Sequence, residues 1–80
     1  MPSVRLHVSF PEELVDRPMV YEIITRFDVV PSIRRAAVEA HSGWTILELT
    51  GDQDRLDASI DYLSDLGCTV NRMEGDVLEG

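Results

Sequence analysis

Lysine is absent from this chain, and cysteine nearly so. All seven basic residues are arginines, set against 15 acidic ones, for a formal net charge of −8. So acidic a chain repels phosphate backbones and anionic membranes, whose binding needs clustered Lys and Arg, and nucleic acid is excluded as a partner on this ground. The single cysteine, Cys68, has no second thiol with which to close an internal disulfide. Nor does it combine with His7 and His41 into the spaced ligand sets of a structural zinc or an iron–sulfur centre. No metal site and no cofactor are expected. No apolar run approaches the roughly 20 residues that cross a bilayer, and no basic stretch followed by an apolar one opens the chain. These absences predict a reduced, cytoplasmic protein without membrane insertion. Aromatics make up only 6% of the residues, so Trp44, the lone indole, is a conspicuous side chain.

What is present is one soluble domain spanning 1–80, with a core over 4–73. At 80 residues, such a chain buries little more than about 60% of its unfolded surface. Burial against a partner would add to a thin stability margin. Val4, Leu6, Val8 and Phe10 alternate with Arg5, His7 and Ser9, the pattern of a strand with one buried face. Pro11-Glu12-Glu13 breaks it. Asp16 then stands as an N-cap, Pro18 in a first helical turn, and Val20, Ile23, Ile24 and Phe27 as the apolar stripe of a helix that Pro31 stops.

Residues 32–40 read as a second strand whose parity changes. Ile33 belongs to one face, whereas Ala36, Val38 and Ala40 belong to the other, as at a bulge or a loosely specified edge. Arg34 and Arg35 suit an edge, where charge discourages unwanted pairing. His41-Ser42-Gly43 predicts a hairpin loop. Residues 44–50 follow as a third strand, with Thr45, Leu47 and Leu49 on one face and Trp44, Ile46 and Glu48 on the other. A second helix is capped by Asp52 or Asp54, lined by Leu56, Ile60, Leu63 and Leu66, and ended at Gly67. Residues 68–73 close the series as a strand with Cys68 and Val70 inward. Residues 74–80 read as an acidic mobile tail.

Two strand–helix–strand units joined by a hairpin predict an α+β, ferredoxin-like βαββαβ sandwich. Right-handed crossovers set the strand order 4-1-3-2. Both helices cover one sheet face. The other presents Arg5, His7, Ser9, Trp44, Ile46 and Glu48, and Trp44 and Ile46 mark it as a contact surface for another protein or a second copy.

Catalytic signals are missing. No Ser–His–Asp order, phosphate-cradling glycine loop or paired acid and base appears. Asp54, Asp57, Asp61 and Asp65 recur along one helix face, where carboxylates in a straight row cannot wrap a cation. They read as a solvated face. Acylphosphatases share the fold, but their phosphate-binding loop after strand one is replaced here by Pro11-Glu12-Glu13. The chain is therefore read as a non-enzyme.

Five segments in order resemble the NIL domain. They are Leu6-His7-Val8-Ser9-Phe10-Pro11, Pro18-Met19-Val20, Ser32-Ile33-Arg34-Arg35-Ala36, Leu47-Glu48-Leu49-Thr50-Gly51-Asp52 and Leu63-Ser64-Asp65-Leu66-Gly67. The resemblance spans roughly residues 4 to 73. It implies the same fold and a regulatory module of the kind found on the ATPases of methionine-importing ABC transporters, beside cluster domains of some ferredoxins, or free-standing. It further implies a homodimer that holds an amino-acid-like ligand where two domains meet. Carried onto this chain, the ligand site falls on Ser32, Ile33, Arg34 and Arg35. The family's Asn-Ile-Leu is replaced there by Ser32, Ile33 and Arg34, so a hydroxyl stands for an amide and a charge for an apolar group. Two readings stay open: a module that binds a methionine-like ligand and acts on a transporter or redox partner, and an adaptor domain with no small-molecule ligand.

Overall fold

The computed structural model describes residues 1–73; the tail assigned to 74–80 lies outside the described residues. The chain runs β1 (Ser3–Pro11), a 3-10 turn (Glu12–Leu14), α1 (Met19–Phe27), β2 (Val30–Val38), β3 (Ser42–Thr50), α2 (Gln53–Leu66) and β4 (Thr69–Arg72). The four strands form one sheet ordered β2-β3-β1-β4, with antiparallel neighbours throughout. This is the predicted 4-1-3-2 order read from the other edge, and the ferredoxin-like sandwich.

Period-two alternation decides the centre of the sheet. Leu6 and Val8 on β1 and Leu47 and Leu49 on β3 point at the helices and are at most 2% exposed. Ile23 from α1 and Leu56 and Leu63 from α2 meet them from above. Each such side chain contributes about 1.5–3 kcal/mol by leaving water. Cys68, just before β4, is buried in the same core, and Val70 packs partly against it.

The ends of α1 differ from expectation. Asp16 caps nothing and is exposed. The chain instead turns through Val15–Pro18, with Pro18 itself at the cap position and no side-chain cap. Nor does Pro31 stop the helix. Asp28 does, in the left-handed region at φ 57, its N–H bonded to Ile24 O at 3.0 Å. Short Asp side chains tolerate that conformation. The chain can therefore re-enter the sheet at Val30, two residues before the predicted start, and Pro31 becomes part of an edge strand, where a missing N–H is tolerated. At α2 the predicted signals hold in position. Asp52 occupies the N-cap, although its side chain makes no cap hydrogen bond, and Gly67 ends the helix at φ 118.

The parity change in β2 is a bulge. Ile33 pairs with Leu47 and Arg35 with Ile46, so Arg34 is the extra residue. Residues opposite one another share a face. Ile33, Ala36 and Val38 therefore point to the helix side, and Ser32, Arg35 and Ala37 to the open side.

Candidate functional site

Lengths open a groove on the helix side. Nine residues of α1 rise about 13 Å, whereas nine residues of β2 extend about 30 Å. The helix cannot roof the edge strand. Ile33 and Val38 remain 60% exposed although they face the helix layer. Between them and α1 lies a cavity of about 380 Å³, floored by Val8, Phe10 and Leu47 and walled by Met19, Val20 and Ile23. Thr45 also lines it, but its Oγ1 is spent on Arg35 O at 3.1 Å.

Arg17 is the one charged residue among the described lining residues. Its fork is fixed by Glu22, with Nε 2.9 Å from Oε2 and Nη2 3.0 Å from Oε1. The Tyr62 hydroxyl donates to the same Glu22 Oε1. Hydrogen bonding to Glu22 raises the Arg17 pKa, and Arg17 first, then Tyr62, holds the Glu22 carboxyl below its usual value. Arg17 thus brings a planar, permanently charged group to the lining of an apolar slot, with its Nε and Nη2 already engaged by Glu22. Behind the slot's wall, the Cys68 thiol lies 3.4 Å from Met19 Sδ, and burial pushes its pKa up. That is the setting of an inert core thiol.

The open face carries the other side chains. Arg34 Nε and Nη2 reach Glu48 Oε1 at 3.1 and 2.5 Å, and Arg5 Nη2 approaches the same oxygen at 3.5 Å. Glu48 is held below its ordinary pKa chiefly by the Arg34 hydrogen bond. His7 stacks on Trp44 with ring centroids 5.4 Å apart and planes 15° apart. Ile46 sits between His7 and Arg35 in the pairing register.

The four residues carried over as a ligand site are therefore divided. Ile33 lines the groove. Ser32, Arg34 and Arg35 share the opposite face with Trp44 and Ile46. Reading the sequence missed Arg17 and the groove itself. The available signal was an edge strand whose helix-side residues (Ile33, Ala36, Val38) are all apolar while the helix above is short. Among the described residues, no three His, Cys, Asp or Glu side chains gather as metal ligands, and no helix is long and apolar enough to cross a membrane.

A ferredoxin-like sandwich with an unroofed edge strand and an apolar slot beside it belongs to the class of small α+β domains with helices on one face of an antiparallel sheet. More particularly, the chain belongs to the NIL domain family, whose pattern matches residues 4–72. Among solved structures it is similar to the C-terminal domain of an ABC transporter ATP-binding protein from Enterococcus faecalis. The TM-score is 0.77 at 19% identity, over 88% of this chain and 82% of that one. That likeness is one of fold. No curated protein matches the chain.

Proposed function

We propose that the chain is a non-enzymatic regulatory module that takes a small, apolar amino-acid-like molecule in the α1–β2 groove, with two copies pairing along β2 to close it. The observation that carries this reading is the groove, an apolar slot of about 380 Å³ with Arg17 the one charged residue among its described lining. That volume is at the small end of ligand sites, which run from about 300 to 1,000 Å³. A methionine-like side chain suits its lining, and Arg17 suits the carboxylate. Pairing along β2 satisfies an unpaired strand edge and covers Ile33 and Val38. Ser32, Arg34 and Arg35 then flank the seam from the opposite face of the sheet. Family membership supports an ABC transporter ATPase or a ferredoxin-type protein as the regulated partner.

Calorimetry against methionine and the other apolar amino acids tests the ligand. Binding is expected to weaken by about 10- to 100-fold in Arg17→Ala, the loss of one hydrogen bond to a charged group. Arg34→Ala, on the opposite face of the sheet, is the control expected to leave that binding unchanged. Sedimentation at tens of micromolar is expected to show a dimer that Ile33→Glu dissociates. A strict monomer that gives no heat with any amino acid overturns the proposal and leaves the adaptor reading.

A further inference from the structure

The sheet's open face is oppositely charged to the rest of the molecule. Glu48 is the only carboxylate in any of the four strands, whereas Arg5, Arg34 and Arg35 all project on this face. The other described acids lie in the helices, turns and loops. A chain of net charge −8 thus has one face with three arginines against one glutamate. Arg35 makes no side-chain hydrogen bond or ion pair among the described residues. Arg5 and Arg34 converge on one oxygen of Glu48. A guanidinium has five N–H donors, so each keeps donors to spare. The middle of the face is apolar, with Ile46 beside Arg35 and Trp44 held against His7.

We infer that this face docks an acidic segment of another protein, with carboxylates flanking a bulky apolar side chain. The carboxylates meet Arg5, Arg34 and Arg35, and the apolar residue sits on Ile46 and Trp44. Arginine forks suit carboxylates in two-pronged geometry, and an aromatic with arginines around it is the usual make-up of a binding hot spot. A second copy is a poor occupant. Face-to-face pairing would bring six arginines together against two glutamates. A nucleic acid is also disfavoured. Its many phosphates extend past a patch this small into the field of the acidic flanks, whereas a short segment carries few charges beyond the patch. The inference does not depend on the groove, which opens on the other side of the sheet.

Trp44 is the only tryptophan, so its emission reports this face alone. The probe is a synthetic Glu-Asp-Leu-Glu-Leu-Glu peptide titrated into the full chain. A same-length Lys-Leu peptide and an oligothymidylate serve as competitors. The acidic peptide is expected to shift Trp44 emission to the blue and to bind at least tenfold more weakly in roughly 0.5 M salt than in 0.05 M, as a screened interaction does. Arg35→Glu is expected to lower affinity at least tenfold and Arg35→Gln by less. Arg55→Glu, on the helix side, is expected to change nothing. Because Arg35 is exposed, these variants keep the core intact. Unchanged Trp44 emission, equal binding in Arg35→Glu, or tighter binding of the Lys peptide or the oligothymidylate each overturns the inference. Amino-acid calorimetry on the same variants keeps that result separate from the fate of the groove.

Discussion

Gly43→Ala adds one methyl group at the point where the sheet meets the groove. Gly43 is buried in β3 opposite Phe10 on one side and Val38 on the other. A Cβ there would lie 2.7 Å from Phe10 Cζ, closer still to Cε2, and 3.1 Å from Ala37 O. Carbon pairs prefer about 3.5–4.0 Å, so the ring must retreat by roughly 1 Å. Core neighbours hold it in place, since Phe10 is only 8% exposed. Its free direction is the groove it lines. Overpacking of this kind costs about 1–3 kcal/mol. Replacing glycine in a strand returns about 0.5–1 kcal/mol, largely through the unfolded chain. The net loss is about 0.5–2 kcal/mol. At about 4–8 °C per kcal/mol for a domain of this size, Tm is expected to fall by about 2–16 °C in a circular dichroism melt. The displaced ring also narrows the groove, so amino-acid binding weakens in the same variant. A cycle with Phe10→Leu isolates the cause, because in that background the added methyl finds room and Gly43→Ala costs little. A variant that melts at or above the parent temperature, or that costs the same beside Leu as beside Phe, refutes the packing argument.

Val8→Asp places an unpaired charge in a site that is 2% exposed and is expected to abolish cooperative unfolding; a melt near the parent temperature would contradict the central placement of β1. Cys68 is expected to react with thiol reagents far more slowly than a peptide thiol until denaturant is added, and labelling at the free rate would place it at the surface. Because burial raises the Cys68 pKa, the unfolded thiol loses its proton first; stability is full below its ordinary value of 9.0 and declines as pH rises above it, a slope that Cys68→Ala removes. Glu22 and Glu48 behave oppositely. Their folded pKa values lie below the ordinary 4.5, so the stability they supply is present above that pH and lost as pH falls through the lowered values. Melts across the acid range are expected to show a shallower decline in Glu22→Gln/Glu48→Gln.

The sheet was the most legible part of the fold. The alternation from Val4 to Phe10 and from Trp44 to Thr50 is strict, and two buried central strands leave no freedom of phase. The bulge was legible as well, since Ile33 and Ala36 cannot share a face in a regular strand. The ends of α1 were not. The cap depends on the backbone path through Arg17 and Pro18, and the stop depends on a left-handed Asp28 that sequence does not distinguish from any other loop aspartate. The groove was hidden for a different reason. It arises from the mismatch between a helix rising 1.5 Å per residue and a strand rising more than twice that, and it pairs Arg17 with Ile33 across 16 positions of chain. The split of residues 32–35 followed only once the bulge was placed at Arg34.

The bulge works as a phase shifter. Upstream of Arg34 the odd-numbered residues of β2 face the helices; downstream the even-numbered ones do. One strand is thus written in two reading phases, and the shift lets two consecutive arginines project on the same face while Ile33 and Ala36 both reach the other. Deleting any single residue between Ile33 and Ala36 would merge the phases. Ile33, the remaining arginine, Ala36 and Val38 would then fall into one regular alternation and keep their faces, and the charged face would lose one of its two consecutive arginines. Substitutions in β2 can therefore tune the slot and the charged face separately, and removing the bulge would thin the charged face while leaving Ile33, Ala36 and Val38 along the slot.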